Sequence, residues 1–457
     1  MTMQNLNCNK SKIQSDRNMK TPSMMNKHIT IFIFLALFIT QQAKAQFIRD
    51  AEIENLLEDY SNPIFLAAGL KPDEVHIGII NNKSLNAFVA GGKNMYFHTG
   101  LILEAETPNV VIGVIAHETG HIVGGHLART SDALASASKP MLLATILGVG
   151  ALAAGQADAG MALITGGQQI AKGSYLSFSR AQEASADQIA LRLLEKTQQS
   201  ARGIRDMMDE LADQEALSGV HQDPYVRSHP LSRNRVNFIE EGMKSSNFSD
   251  RTDSPELQFR HDMVKAKIYG FLDHPGATLR RYARQETLPA KYARAIAFYK
   301  NGETQKAVQM VDKLIEFQPD NPYFFELKGQ ILYESGHLDK SIAPYRKSVA
   351  IAPKEPLLQI GLATSLISLE TKASAKEALE ILKKALRMEK DNMTAYYQMA
   401  TAYALLGDTG RAELATAERY YILGRLKIAS MHAYRAMKHL PKNSPEWLKA
   451  QDIMANL

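Results

Sequence analysis

The residues best suited to chemistry in this sequence are His117-Glu118-Thr119-Gly120-His121. Two histidines four residues apart share one face of a helix, because four steps of about 100° nearly complete a turn. The apolar residues from Val110 to Ala116 lead in and Ile122-Val123 follow, which is the pattern of a buried helix. Both imidazoles then reach a single zinc ion, and Glu118 beside them is placed to take a proton from an attacking water. A pattern this short also arises by chance, so the reading depends on what the rest of the chain supplies.

A catalytic zinc takes a third protein ligand and keeps one position for water. His126 lies nine positions beyond His117, about 900° round a continuous helix and therefore on its opposite face. A longer three-histidine spacing would put its last ligand at position 127, which is Leu127. Glu183, in an Ala-rich helix expected from Ser179 to Lys196, completes a set of two histidines and one glutamate. Asp187, one turn later, can accept from the free ring nitrogen of a ligand histidine and fix its tautomer. The same two carboxylates also read as a solvated helix face, and spacing alone leaves both readings open.

The elements that must position these groups follow from periodicity. Asp50 to Ala68 carries Ile53, Leu56, Leu57 and Tyr60 at helical spacing. Val75 to Ile80, Leu85 to Ala90 and Asn94 to His98 read as strands, with turns at Asn81-Asn82 and Gly91-Gly92. An exposed strand edge beside a metal-binding helix can hold an extended peptide by its backbone; a hairpin that merely covers the core is the plainer alternative. Pro140 to Gly173 is apolar and glycine-rich, and predicts two short helices packed near the site. It contains no run long enough to cross a bilayer, but it leaves peripheral membrane association or contact with unfolded chains open. A helix is expected from Arg205 to Leu217, a loop from Gly219 to Arg235, and a domain boundary in the polar stretch from Ser245 to Pro255.

Beyond that boundary the chain repeats itself with a period near 34 residues, as Pro319 with Pro353 and Gly302 with Gly336 show. Small residues recur in register at Ala295, Gly329, Ala363 and Ala400, and again at Ala307, Ser341 and Ala378. A further unit ends at Pro441, and Ser444 to Leu457 reads as a capping helix. These are tetratricopeptide spacings, without the signature tryptophan and with an irregular fourth unit. Stacked helix pairs leave a concave surface that binds a partner.

The first 45 residues combine five early lysines and arginines, an apolar run from Ile29 to Ile39, and small residues at Ala43 and Ala45. They read as a secretory signal peptide cleaved before Gln46, an uncleaved anchor being the alternative. The net charge of +5 resides in this segment, and the remainder balances at 47 basic against 47 acidic residues, so nothing points to nucleic acid. Its single cysteine, Cys8, lies there too, so the remainder has neither a disulfide nor a thiol nucleophile.

His117-Glu118-Thr119-Gly120-His121, Glu183-Ala184-Ser185-Ala186-Asp187 and His229-Pro230 with Arg235 together resemble the M48 family of zinc metallopeptidases, and Asn86-Ala87-Phe88 and Thr99-Gly100-Leu101 are also similar to that family's segments. The resemblance implies an α+β zincin-like metalloprotease domain, mostly helical with a small sheet, followed by an all-α tetratricopeptide solenoid. The corresponding division is a signal peptide at 1–45, a protease domain at 46–250 and a repeat domain at 256–457. Carried over residue by residue, the resemblance makes His117, His121 and Glu183 the ligands of one zinc ion per chain, Glu118 the general base and Asp187 a catalytic-site carboxylate that supports a ligand histidine. It places His229 in a loop over the site, either on the open metal position or at the oxyanion, and it gives Arg235 no defined role. Asn86, Ala87 and Phe88 would lie along the substrate. With a leader in front and repeats behind, it further implies a periplasmic endopeptidase. Its partners would be misfolded or assembling outer-membrane proteins and the machinery that inserts them, bound by the repeat surface. A repeat scaffold or chaperone with little proteolytic activity is the alternative.

Overall fold

The computed structural model describes residues 47–153, 156–218, 229–231 and 233–455. The expected leader, and residues 219–228 and 232 of the expected loop, lie outside them. Helix α1 (Ala51–Ala67) begins where the Asp50 side chain accepts from the amides of Glu52 and Ile53, and it buries Ile53, Leu56, Leu57 and Tyr60 as its spacing predicts. Four strands follow the order β1-β2-β4-β3: β1 (Phe47–Ile48), β2 (His76–Ile80), β3 (Ala87–Ala90) and β4 (Asn94–His98). β2 and β4 are parallel, while β1 and β3 flank them antiparallel, so β3 is an outer strand. The Thr99-Gly100-Leu101 turn is the first turn of a short helix, α2 (Thr99–Glu104). There the Gly100 amide and the Thr99 hydroxyl both donate to the Asn82 carbonyl, at 2.9 Å each, and pin the loop that leads into β3.

Helix α3 (Pro108–Val123) runs through the centre of the N-terminal core, with Val111, Val114, Ile115 and Ala116 fully buried. Asn109 anchors its start, donating to the Ser200 carbonyl at 2.8 Å and accepting from the Gly203 amide at 2.8 Å. Those bonds fix the start of α6 (Arg202–Ser218) against it. Between them lie α4 (His126–Ala153) and α5 (Ala157–Lys196). The expectation of two short apolar helices is therefore corrected: they are parts of a long antiparallel pair. Glycine costs a helix interior only about 1 kcal/mol, and here Gly148, Gly160 and Gly167 sit where the two helices touch, so close packing offsets it.

Helix α7 (Arg233–Ser245) returns to the core through Val236 and Ile239, and α8 (Pro255–Leu272) serves two cores at once. Val264 and Ile268 face the N-terminal core, while Met263 joins Tyr292, Val311 and Phe324 of the repeats. Between the two faces, the buried Lys267 ammonium meets Asp50 at 2.7 Å and Glu52 at 3.2 Å, and the Tyr292 hydroxyl donates to Glu52 at 2.8 Å. The cap of the first helix is thereby tied by charge to the repeat array.

The array consists of helix pairs from Leu288 to Ala455. Ala295, Ala363, Ala307, Ser341 and Ala378 are buried where the pairs touch, and Gly329 lies against the Tyr345 ring. Ala400 departs from the register and is half-buried, with Ala395 and Ala402 taking its place in the irregular fourth unit. The turn position held by Gly302 and Gly336 at positive φ passes, one period later, to Glu370 at φ 53°.

On α8, the His261 Nε2–H donates to the Ala105 carbonyl at 2.9 Å, so Nδ1 accepts from the Tyr60 hydroxyl at 3.1 Å. Burial pulls this imidazole from 6.5 down to about 4. Its folded value lies below its unfolded one, so its contribution to stability is complete above the unfolded pKa and is lost as pH falls through the folded one. The wild-type chain is expected to lose on the order of 3 kcal/mol from this group between pH 7 and pH 4. Urea unfolding across that range should show a shallower acid slope in His261→Gln, and equal slopes would refute the assignment.

Candidate metal centre

The site is built on two helices that approach closely because one residue has no side chain. A Cβ on Gly120 would meet the Ala186 carbonyl oxygen at 2.8 Å and its Cα at 2.9 Å. Gly120 of α3 therefore lets the backbone of α5 come into contact, and Glu183 and Asp187, either side of Ala186, are carried onto the histidine face. All four are buried or nearly so: His117, Glu183 and Asp187 are at most 3% exposed, and the His121 side chain is 14% exposed.

The donor atoms face one another. His117 Nε2 and His121 Nε2 are 3.1 Å apart, and the two Glu183 carboxylate oxygens lie 3.4 Å from one ring nitrogen each. His229 adds a fourth corner, with Nδ1 3.3 Å from both His117 Nε2 and Glu183 Oε2. These four side chains form a cluster able to hold a metal ion. The spacing fits one: ligands on a tetrahedral ion with bonds of about 2.0–2.1 Å sit roughly 3.3 Å from each other. Two imidazoles and a carboxylate are also the donors that suit zinc.

The charges around the cluster support the same reading. His117 Nδ1 lies 2.9 Å from Asp187 Oδ1. Arg235 grips both Asp187 oxygens, at 2.7 and 2.8 Å, and reaches Glu183 at 2.9 Å and the Pro230 carbonyl at 3.1 Å. Burial opposes charge on His117, His121, Glu183 and Asp187. Even so, Asp187 and Glu183 push His117 up to about 10, and the Glu183 and Asp187 carboxyls are held well below their ordinary range by their cationic partners. Burial, reinforced by the neighbouring His117, pulls His121 down to about 2 and keeps it neutral. The cluster thus demands a positive charge where the two carboxylates meet the ring of His117, and a metal ion would take over from that proton.

Glu118 lies beside this set, 1% exposed, with His229 Nε2 3.3 Å from its Oε1 and no hydrogen bond to either oxygen among the described residues. Burial pushes its carboxyl up, as suits a group that must accept a proton. On the sheet side, Asn86 and Ala87 are buried and Phe88 is half-buried in and before β3. β3 pairs with β4 on one edge and with no other strand among the described residues.

Two residues are placed differently from the sequence reading. A continuous helix would carry His126 to its far face, but α3 ends at Val123 and Gly125 turns the chain at φ 63°. His126 then opens α4 and brings its Nδ1 to 3.0 Å from the Nδ1 of His121, on the side of that ring away from the cluster. The Gln182 amide and the Thr130 hydroxyl donate to the His126 carbonyl at 2.9 and 2.8 Å. The Gly124-Gly125 pair was the available signal for this break. Arg235, without a role in the sequence, is the cation that holds the two carboxylates together.

An α+β domain that presents a two-histidine, one-glutamate cluster with a buried glutamate beside it, joined to an all-α repeat array, is the architecture of a repeat-bearing metalloprotease. Residues 48–242 match the model of Peptidase family M48, and residues 277–434 match a tetratricopeptide repeat model. The chain is an M48-type metalloprotease followed by tetratricopeptide repeats. It is 24% identical over 394 residues to the beta-barrel assembly-enhancing protease of Yersinia pestis, covering 84% of this chain and 79% of that one. It is likewise 24% identical to the protein of that name from Escherichia coli strain K12, covering 77% and 72%. It is 26% identical to the metalloprotease LoiP of the same strain, over 39% of this chain and 67% of that one. Among solved structures, YrrB, a tetratricopeptide repeat protein with an unusual peptide-binding site, aligns at 14% identity over 38% of this chain and 91% of its own, with a TM-score of 0.31.

Gly120→Ala tests whether the close approach of α3 and α5 makes the site. Forcing a methyl between the two backbones is expected to cost about 1–3 kcal/mol. It should also lower metal retention, because Glu183 moves away with its helix. Melting temperature and metal content after dialysis report both, and full metal retention would refute the argument.

Proposed function

We propose that this chain is a zinc-dependent endopeptidase of the periplasm, which degrades misfolded outer-membrane proteins or aids their assembly. The single observation behind the proteolytic reading is the 3.1–3.4 Å spacing of His117, His121 and Glu183 with Glu118 beside them. Zinc held by those three residues supplies Lewis acidity toward the scissile carbonyl and the attacking water. Glu118 accepts the proton of that water at a carboxylate oxygen and returns it to the leaving amine. Asp187 holds His117 by Nδ1, and Arg235 keeps both carboxylates ionised and in place. A peptide extends along the outer edge at Asn86, Ala87 and Phe88, bound by backbone hydrogen bonds. The division into a cleaved leader at 1–45, a protease unit at 46–250 and a repeat unit at 256–457 belongs to the same proposal.

His229 is read as a latch. Its Nδ1 occupies the fourth corner of the cluster and its Nε2 reaches toward Glu118, so it stands where substrate and water must enter. The relatives' name, beta-barrel assembly-enhancing protease, supports outer-membrane proteins as substrates, and a repeat surface supports binding of a protein partner.

Glu118→Gln is expected to keep its metal and its fold while cleavage of an unfolded β-barrel substrate drops by about 10²–10⁴-fold. Retained cleavage would refute the base assignment. No chelator-sensitive cleavage by the wild type, with binding of the substrate intact, would favour the scaffold reading. His229→Ala is expected to raise basal casein cleavage several-fold, and a fall would move that residue to the oxyanion.

A further inference from the structure

The pair α4 and α5 leaves the protease core as a hairpin whose far half is built inside out for a water-soluble protein. Small residues make the contact between the helices. A Cβ on Gly148 would meet the Ile164 side chain at 2.6 Å and the Gly160 carbonyl at 2.7 Å, and Gly167 lies against Ala144. The large apolar side chains point outward instead: Leu142, Leu143, Ile146, Leu147 and Val149 are each more than 50% exposed. A surface helix of a soluble protein shows the opposite arrangement, with its apolar stripe against the core. Helices that pack through small residues and turn their apolar side chains outward are those whose solvent is lipid.

The charges fit that solvent too. Between Lys139 and Lys172 the sequence carries one charge, Asp158. Lys139, Leu142, Ile146 and Val149 recur at steps of three and four, so the lysine heads the same stripe as the apolar residues. Arg129 and Arg180 stand further toward the base of the hairpin, against one acid, Asp132. The outward side of α5 mixes exposed Met161, Leu163 and Ile170 with exposed Gln168 and Gln169, so the α4 side is the more uniformly apolar one. Among the described residues no helix is long and apolar enough to cross a membrane. Asp158, at the start of α5, opposes deep entry of the hairpin end first. An amphipathic element of this kind lies in the plane of the interface, about 5–10 Å into the headgroup–acyl boundary.

We propose that the outward face of α4, from Leu142 to Val149, rests in the surface of an anionic phospholipid bilayer, with Lys139 reaching up to the phosphates. Two adjoining stripes are apolar, Leu142-Ile146-Val149 and Leu143-Leu147. At about 100° per residue they span roughly 160° of the helix, wider than the roughly 100° stripe a surface helix turns to a protein core, and a fluid acyl layer can cover all of it. The lysines and arginines favour phosphatidylglycerol over a zwitterionic surface, and the long Lys139 stem lies along apolar surface while its ammonium stays wet. This surface is separate from the metal cluster, so the inference stands or falls independently of the proteolytic reading.

The test uses residues 46–457, which hold every described element and exclude the apolar leader. Flotation with vesicles of phosphatidylcholine and phosphatidylglycerol (3:1) is expected to recover the chain, with recovery falling at high salt and on phosphatidylcholine alone. Leu142→Glu with Ile146→Glu is expected to weaken binding at least tenfold. Both side chains are exposed, so melting temperature and metal content should stay unchanged and separate lost binding from lost folding. Ile146→Trp, made with Trp447→Phe so that one tryptophan remains, should shift to the blue on the vesicles and be quenched by acyl-brominated lipid. Equal binding by the wild type and the double glutamate variant overturns the proposal. So does absence of vesicle binding, and in that case a dimer that becomes monomeric in the glutamate variant would assign this face to a second copy of the chain.

Discussion

Two carboxylates on one helix face, buried beside two imidazoles, make a cluster that is stable only if its charge is balanced, and the protease half of the molecule is arranged around that requirement. Breaking a buried charge pair by removing one partner typically costs 3–5 kcal/mol. Glu183 and Asp187 are both nearly sealed from solvent, and the Arg235 guanidinium meets each of them at 2.7–2.9 Å. Arg235 comes from α7, six residues beyond His229, so the same residue that neutralises the carboxylates also ties down the backbone next to His229. Its bond to the Pro230 carbonyl makes that link direct. Positioning of the cluster, placement of His229 against it and charge compensation are therefore one coupled arrangement.

The glycines of the two long helices do related work at different depths. Gly120 lets α5 touch α3 where the metal donors converge, and Gly148, Gly160 and Gly167 let α5 touch α4 further out. Near the core the close approach is sealed by buried side chains. Further out the same packing leaves large apolar residues facing outward. One helix, α5, thus carries the third donor of the cluster and one side of the exposed hairpin, so forces on the hairpin have a covalent route to Glu183.

Helix α8 joins the two halves by packing into both of their cores. Lys267 compensates Asp50 and Glu52 from the start of α1, and the Tyr292 hydroxyl of the first repeat reaches Glu52. Burying an ammonium among carboxylates is favourable only when its hydrogen bonds are satisfied, as they are here. The repeat array is consequently held at a set place on the protease domain through its first helix pair.

Periodicity and spacing determined what depends on neighbours along the chain. The four-residue step of His117 and His121, the strand alternation, the capping of α1 by Asp50 and the 34-residue register of the repeats all act over a few turns, so they are written locally. Resemblance of short motifs favoured the site reading of Glu183 and Asp187, which spacing alone leaves open, and added His229 as a candidate. Tertiary structure decided what depends on distant segments meeting. It brought Glu183 to 3.4 Å from both rings and gave Arg235 its carboxylate partners. It also placed His126 behind His121 once Gly125 had broken the helix. It merged two expected short helices into a long hairpin and showed which of its faces is open. Helical spacing says which residues share a face, but only packing says what that face meets, because burial and charge balance are properties of the folded neighbourhood.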